Sequence, residues 1–176
     1  LMGLVAMEEL DSVDTVITGW DLSSVNPAEE SSQIGTNAAM LHGIQQMTGA
    51  VKIFEDGQLS MVQSLKKLKI KYPGKGIYPA NIFGHPEAIS FPHHFPEIKN
   101  AMNVAHGSKA LDIYIIKIFL WLTEKNIISH DKAANFFHWL ETKSSRPSFR
   151  DERAGLPAIY GLAYGMKNGN IASVGV

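Results

Sequence analysis

Two glycine-containing turns, each between segments that alternate apolar and polar residues, constrain the fold of this chain most strongly. Asp56-Gly57 lies near the middle of residues 51–63, and Asn168-Gly169 lies near the middle of residues 156–176. Asp-Gly and Asn-Gly readily adopt the left-handed backbone that tight hairpin turns require. The sequence therefore predicts two β-hairpins, and hairpins pair their strands antiparallel.

The remaining segments predict further strands and four helices. Strands are predicted at 13–18, 68–72, 77–83 and, more weakly, 97–104. Helices are predicted at 2–10, 32–47 and 108–126, and from Asp131 onward, with Asp131 as the N-cap. Runs of hairpins, rather than strict alternation of strand and helix, favour an α+β fold with a mixed, largely antiparallel sheet and helices packed on one face.

Length and composition indicate one globular domain. The chain has 176 residues, of which 45% are hydrophobic and 19% charged, which is enough apolar side chain for a core. The absence of cysteine excludes disulfide scaffolds, thiolate metal sites and cysteine nucleophiles. A net charge of −1 argues against nucleic acid as a partner of the whole molecule.

No segment of the sequence predicts membrane insertion or export. The longest apolar stretch, 110–122, contains Asp112 and Lys117 and is too short to span a bilayer. Residues 1–10 carry no basic segment of the kind that opens a signal peptide, so we expect a cytoplasmic protein. The chain begins with Leu1 and ends within an apparent strand, which predicts a fragment of a longer protein.

Several local catalytic and nucleotide-binding signatures are missing from the chain. The sequence contains no G-x-G-x-x-G, G-x-x-x-x-G-K-[ST], G-x-S-x-G or H-E-x-x-H. Residues 73–76, Pro-Gly-Lys-Gly, are too short for a phosphate loop and predict a turn. We therefore expect no dinucleotide-binding residues within this chain.

Residues 84–97 hold the densest group of polar side chains. The titratable members are His85, Glu87, His93, His94 and Glu97. The prolines at 86, 92 and 96 predict an extended, rigid segment. Three interpretations stay open: a structural loop whose histidines bind backbone groups, a substrate site that uses His85 or Glu87, and a metal site.

Two other surfaces admit both a structural and a functional interpretation. Lys67, Lys69 and Lys71 alternate with apolar residues, which predicts either a solvated strand edge or an anion-attracting face. The helix at 108–126 is apolar on nearly all sides and predicts either core or a dimer interface.

The segment from Tyr78 to Pro92 resembles the saccharopine dehydrogenase-like family. In that family a strand of the second domain ends in Gly-His-Pro-Glu, followed by a short apolar segment and a proline. Here the corresponding residues are Gly84-His85-Pro86-Glu87 and then 88–92. The preceding helix, strand and Asp56-Gly57 turn, and the later Asn168-Gly169 turn, are similar to the family's order of elements.

This resemblance implies the second domain of a two-domain oxidoreductase. The fold would be like the C-terminal domain of glyceraldehyde-3-phosphate dehydrogenases, and the domain would contact a small-molecule substrate and form a homodimer. NAD or NADP would bind a Rossmann domain that is absent from this chain. The implied substrate-binding residues are His85, Glu87, Arg146 and Arg150, and the reaction would involve an amine or imine of an amino-acid adduct.

Two functions of other classes remain as alternatives. A non-catalytic interaction module could associate through the apolar helix at 108–126. Opposite charges could pair across the same interface, because residues 1–50 contain seven acids and no Lys or Arg, whereas residues 51–75 contain six lysines. A metal-dependent hydrolase would use His85, His93 and His94.

Overall fold

A computed structural model describes residues 2–21, 38–106, 110–143 and 155–176 of the chain. The helices are α1 (Met2–Glu8), α2 (Ala38–Met47), α3 (Glu87–His94), α4 (Ala110–Glu124) and α5 (His130–Lys143). The strands are β1 (Ser12–Asp21), β2 (Ala50–Glu55), β3 (Gln58–Gln63), β4 (Lys67–Tyr72), β5 (Gly76–Phe83), β6 (Asn100–His106), β7 (Ile159–Lys167) and β8 (Asn170–Gly175). The predicted starts of two helices, at 32–37 and 108–109, lie outside the described residues.

The strands form one mixed sheet in the order β3-β2-β6-β1-β7-β8. β5 also pairs with β6, and β4 pairs with β5. The described pairs are antiparallel except that of β1 with β6, which is parallel. This architecture confirms the predicted α+β class with a largely antiparallel sheet.

Both predicted hairpins are confirmed, including their turns. Glu55 pairs with Gln58 and Lys167 with Asn170, so each turn has two residues between the strands. Asp56-Gly57 has φ values of 50° and 76°, and Asn168-Gly169 has 51° and 73°. Positive φ at both turn positions matches the right-handed twist of the flanking strands, as these dipeptides predict.

The sheet is covered on both faces, by different kinds of element. On one face, Ala6 of α1 and Phe91 of α3 pack with Val16 of β1 in one apolar cluster. On the other, Ile70 and its neighbours in the β4–β5 hairpin pack with Ile17 of β1. Because successive strand residues point to opposite faces of a sheet, Val16 and Ile17 contribute to two separate cores.

A third apolar cluster joins three of the helices. Ile44 of α2, Leu120 of α4 and Phe137 of α5 are buried together in it. Phe119 and Phe136 stack with their ring centroids 4.1 Å apart, which adds aromatic packing between α4 and α5. Ala133, Phe136 and Phe137 of α5 follow a spacing of three and four residues, which is typical of a helix face that packs against other helices.

The prediction of an extended segment over residues 86–96 is wrong, because residues 87–94 form α3. Pro86 precedes the helix with φ −58° and ψ −25°, a backbone that suits a helix start. Pro92 lies inside the helix, but the helix continues for only two more residues. The prolines are therefore compatible with a short helix here, because the fixed φ of proline is also a helical value.

The start of α5 also differs from the prediction. The helix begins at His130, one residue before the predicted cap Asp131. The backbone N–H of Lys132 donates to Oγ of Ser129 over 3.3 Å, so the serine supplies the capping oxygen. Asp131 instead lies in the first turn, where the helix dipole favours a negative charge.

Among the described residues, no helix is long and apolar enough to cross a membrane.

Candidate active site at the start of helix α3

His85 and Glu87 lie beside the carboxyl ends of β1 and β6, the parallel pair of the sheet. β5 ends at Phe83, and the chain then passes through Gly84 and His85 into α3, which packs against β6, β2 and β1. Gly84 is required at this point, because a Cβ there would lie 2.4 Å from the backbone oxygen of Gln46. The carboxyl ends of parallel strands are common positions for ligand sites in α/β proteins.

The carboxylate of Glu87 is held by two side chains from the sheet. Thr18 donates its hydroxyl to Oε2 of Glu87 over 2.7 Å, and Asn103 donates its amide to the same oxygen over 3.1 Å. Thr18 and Asn103 are register partners in β1 and β6 and are hydrogen-bonded to each other. Both are buried, so the carboxylate is fixed by donors that cannot easily move.

Asn103 also forms a hydrogen bond with the first turn of α3. Its Oδ1 accepts a hydrogen bond from the backbone N–H of Ala88 over 3.1 Å. Pro86, at the N-cap, makes no side-chain capping bond, so a residue of the sheet satisfies this N–H instead. The negative charge of Glu87 in the first helical turn is further favoured by the helix dipole.

His85 lies next to this anchored carboxylate. Its Nδ1 is 3.5 Å from Oε2 of Glu87, an ion-pair distance that is longer than a normal hydrogen bond. The side chains are 30% and 22% exposed, whereas the Nδ1 atom of His85 is itself buried and has no hydrogen-bond partner among the described residues. The His85 ring also packs on Trp20, with the ring centroids 4.8 Å apart. We name these two residues the His85–Glu87 pair.

Burial lowers the pKa of His85 below its usual value of 6.5, and the Glu87 carboxylate acts in the opposite direction. His42 contributes a smaller lowering of the same pKa. The imidazole is therefore largely neutral at neutral pH. One of its ring nitrogens then has a free electron pair that can accept a proton. The adjacent carboxylate would stabilise the imidazolium that results, which is the usual arrangement of a general base.

Two of the predicted substrate-binding residues, His85 and Glu87, are thus brought together. The other two, Arg146 and Arg150, lie outside the described residues. His93 and His94 lie near the end of α3 and contact each other, with ring centroids 5.0 Å apart. Within the described part of the chain, no three His, Asp or Glu side chains are grouped so as to hold a metal ion.

The sequence interpretation missed the three residues that support the pair, namely Thr18, Trp20 and Asn103. Thr18 and Asn103 are 85 residues apart in the chain, and only the parallel pairing of β1 with β6 makes them neighbours. A signal was present in each strand, because Thr18 and Asn103 interrupt otherwise apolar stretches. Buried polar residues of this kind are usually hydrogen-bonded to one another.

Comparison with known proteins finds distant similarity among solved structures. No protein-family model and no curated protein matches the chain. Among solved structures, the chain is similar to apo saccharopine dehydrogenase (L-Glu forming) from Saccharomyces cerevisiae, with a TM-score of 0.37 and 12% sequence identity. The match covers 92% of this chain and 52% of that chain, so this chain spans about half the length of that protein.

The part of the chain that the structure describes offers no fitting site for a nicotinamide cofactor. It lacks the G-x-G-x-x-G fingerprint whose glycines let a backbone approach a pyrophosphate. The site residues that the structure describes around the His85–Glu87 pair are Thr18, Trp20 and Asn103, which offer a threonine hydroxyl, an indole and an amide. The hydroxyl and the amide are buried and bonded to Glu87, so they position its carboxylate and do not form a cradle for a dinucleotide.

Proposed function

We propose that this chain is the substrate-binding and dimerisation domain of an NAD(P)-dependent oxidoreductase, similar to saccharopine dehydrogenases, that acts on an amine or imine of an amino-acid adduct. The observation that carries the proposal is the His85–Glu87 pair, a partly exposed imidazole 3.5 Å from an anchored carboxylate. The Gly84-His85-Pro86-Glu87 motif, which resembles that family, supplies both members of the pair.

The chemistry of such a reaction calls for a proton acceptor of this kind. Oxidation of a secondary amine to an imine removes the proton on nitrogen together with a hydride from carbon. In the proposal, the neutral His85 ring accepts the nitrogen's proton, and Glu87 stabilises the positive charge that forms on the ring. In the opposite direction, the protonated His85 returns that proton to nitrogen.

Two arginines and a nicotinamide cofactor complete the proposed reaction. Arg146 and Arg150 would bind substrate carboxylates, because a guanidinium donates two parallel hydrogen bonds to a carboxylate. The NAD or NADP that this reaction class requires would be held by a Rossmann domain outside this chain.

The dimer of the proposal is supported by an exposed stripe on α4. Tyr114, Ile118 and Trp121 follow a spacing of four and then three residues, and their side chains are 62%, 40% and 53% exposed. Such a stripe on one helix face is typical of a helix that packs against a partner. A second copy of the chain also suits the charge distribution, because the acidic residues 1–50 complement the lysine-rich residues 51–75.

The same stripe favours one second candidate function, a non-catalytic interaction module. The two candidates differ in what the His85–Glu87 pair is expected to do. An interaction module requires no nicotinamide, and its function would depend on the exposed face of α4. The oxidoreductase requires both nicotinamide binding and chemistry at the pair.

The proposal is tested with the full-length protein that contains this chain. Calorimetry measures the binding of NAD(H) and NADP(H), and absorbance of the reduced nicotinamide follows turnover of secondary-amine adducts of amino acids. We expect binding of one nicotinamide and turnover of at least one adduct. Absence of nicotinamide binding by the folded full-length protein would contradict the proposal and favour the interaction module.

The dimer is tested separately by analytical ultracentrifugation of the same protein. We expect the Trp121→Glu variant to sediment as a monomer at concentrations where the unaltered protein is a dimer. Glu124→Gln serves as the control, because Glu124 lies on the same helix and is also exposed. A monomeric unaltered protein, or a Trp121→Glu variant that stays dimeric, would contradict this part of the proposal.

A further inference from the structure

The outer face of the β4–β5 hairpin carries a row of lysines. Lys67, Lys69 and Lys71 alternate along β4 with residues that pack into the core, and all three are exposed. Residues on one face of a strand follow each other at about 6.5 Å, so the three lysines extend over about 13 Å. Lys75, in the turn between β4 and β5, is also exposed. We name these four residues the lysine row.

The charge of the lysine row is not offset by its described neighbours. The register partners of the three strand lysines in β5 are uncharged, namely Asn81, Pro79 and Ile77. Within the part of the chain that the structure describes, no ion pair involves any lysine of the row. Several positive charges on one face without compensation attract a partner of negative charge.

Protection of a sheet edge does not account for the lysine row. Lysines often prevent an edge strand from pairing with other chains, and β4 pairs with β5 alone among the described strands. However, β3 and β8 lie at the two ends of the described strand order, and neither contains a charged residue. The lysines are therefore concentrated on one hairpin rather than distributed over the exposed edges.

Exposed apolar side chains next to the lysine row indicate which kind of anionic partner fits. Ile77 is the register partner of Lys71 and is 67% exposed. Pro79, the register partner of Lys69, is exposed as well. Basic and apolar side chains side by side suit the interface of an anionic bilayer. There the lysines approach the headgroups and an apolar side chain enters the boundary with the acyl chains.

An acidic strand from another protein fits this hairpin less well. Addition of a strand requires free backbone N–H and C=O groups along the edge. The carbonyl oxygen of Lys71 already accepts a hydrogen bond from the hydroxyl of Tyr164 over 2.5 Å. One end of the β4 edge is therefore closed to a further strand, whereas the lysine side chains stay exposed.

We propose that the lysine row and Ile77 form a surface that binds an anionic phospholipid membrane peripherally. Such binding requires no membrane-spanning helix. The inference goes beyond the oxidoreductase proposal and does not depend on it, because it uses neither residue of the His85–Glu87 pair. The hairpin covers the opposite face of the sheet from α3, so the two surfaces can act in one molecule.

The test is cosedimentation of the full-length protein that contains this chain with lipid vesicles. One set of vesicles consists of phosphatidylcholine, and the other of phosphatidylcholine mixed with phosphatidylserine. We expect the protein to sediment with the mixed vesicles only, and less so as the salt concentration rises. No sedimentation with the mixed vesicles, or equal sedimentation with both sets, would overturn the proposal.

A pair of lysine variants separates this surface from an effect of net charge. Lys69→Gln removes the central charge of the strand and is expected to weaken binding to the mixed vesicles roughly fivefold. Lys52→Gln is the matched control, because Lys52 is an exposed lysine of another strand, β2. We expect the control to bind as the unaltered protein does. Equal binding by the two variants would overturn the proposal.

An apolar variant separates a membrane from an acidic protein as the partner. Ile77→Ser leaves the net charge unchanged and is expected to weaken vesicle binding roughly threefold. Soluble polyglutamate is the probe for an acidic protein, and we expect it to bind more weakly than the mixed vesicles. Unchanged vesicle binding by Ile77→Ser, or equally tight binding of polyglutamate, would overturn the proposal in favour of an acidic protein partner.

Discussion

The side-chain amide of Asn103 joins the centre of the sheet to the first turn of α3. Its nitrogen donates to Oε2 of Glu87 over 3.1 Å, and its oxygen accepts from the backbone N–H of Ala88 over 3.1 Å. One buried side chain therefore fixes both the carboxylate beside His85 and the helix that presents it. The geometry of the site and the stability of the fold depend on the same residue.

Replacement of Asn103 by leucine should destabilise the protein strongly. Leucine has a similar volume but leaves the Ala88 N–H and one oxygen of Glu87 without this partner. We expect a loss of about 2–3 kcal/mol in the free energy of unfolding, measured by urea denaturation. Asn135→Leu, at an exposed position of α5, is the control and should change stability little. Equal stability of the two variants would contradict the anchoring role of Asn103.

Replacement of Glu87 by glutamine should lower the pKa of His85. Burial already lowers this pKa, and the Glu87 charge acts in the opposite direction. Loss of that charge leaves burial less opposed, whereas the amide keeps nearly the same shape. The measurement is an NMR titration of the His85 ring in both proteins. A pKa that stays the same or rises in Glu87→Gln would show that the carboxylate does not act on the ring.

Two glycine substitutions should change stability in opposite directions. A Cβ on Gly19 would lie 2.0 Å from Cζ of Tyr160, so Gly19→Ala forces the buried ring to move. We expect a loss of roughly 3 kcal/mol. Gly43 lies in α2 with nothing within 4 Å of an added Cβ, so Gly43→Ala should gain about 0.5–1 kcal/mol. Thermal unfolding of both variants measures the difference, and a stable Gly19→Ala would contradict the packing of β1 against Tyr160.

The free energy of unfolding should fall as the pH decreases below 6.5, the ordinary pKa of histidine. The pKa of His106 is lowered in the folded state, so the unfolded state takes up the proton first, near pH 6.5. Stability is therefore fully present above that pH and is lost as the pH falls towards the folded-state pKa. His85, whose pKa is also lowered, contributes in the same direction.

His106→Asn tests this pH dependence directly. The variant removes the buried titrating group, so its free energy of unfolding should change less between pH 7 and pH 5 than that of the unaltered protein. Urea denaturation at a series of pH values gives both curves. Parallel curves would mean that His106 does not titrate differently in the folded and unfolded states.

Local chemistry made the hairpins and most helices predictable from sequence. Asp56-Gly57 and Asn168-Gly169 specify their turns by themselves, because few other dipeptides accept positive φ at both positions. The segment around Pro92 was wrongly predicted to be extended, because proline occurs both in extended segments and in short helices. Its helical state depends on burial of Phe91 against the sheet and on the Asn103 bond to Ala88, which are tertiary contacts.

Only part of the candidate site could be predicted from the sequence, for a similar reason. His85 and Glu87 are two residues apart, so their proximity followed from the motif itself. Their anchors, Thr18 and Asn103, belong to strands that meet only in the parallel pair of an otherwise antiparallel sheet. That pairing joins residues far apart in the chain, and the alternation of apolar residues within either strand does not specify its partner.

The most direct test of the central claim is the kcat/KM of His85→Asn and Glu87→Gln in the full-length protein, with the adduct that it turns over. His93→Asn is the control, since His93 is exposed in the last turn of the helix that begins at Glu87. We expect both site variants to lose roughly 100-fold or more in kcat/KM, and the control to keep its activity. If both site variants turn over the adduct as fast as the unaltered protein, the His85–Glu87 pair is not the proton-handling pair of this reaction.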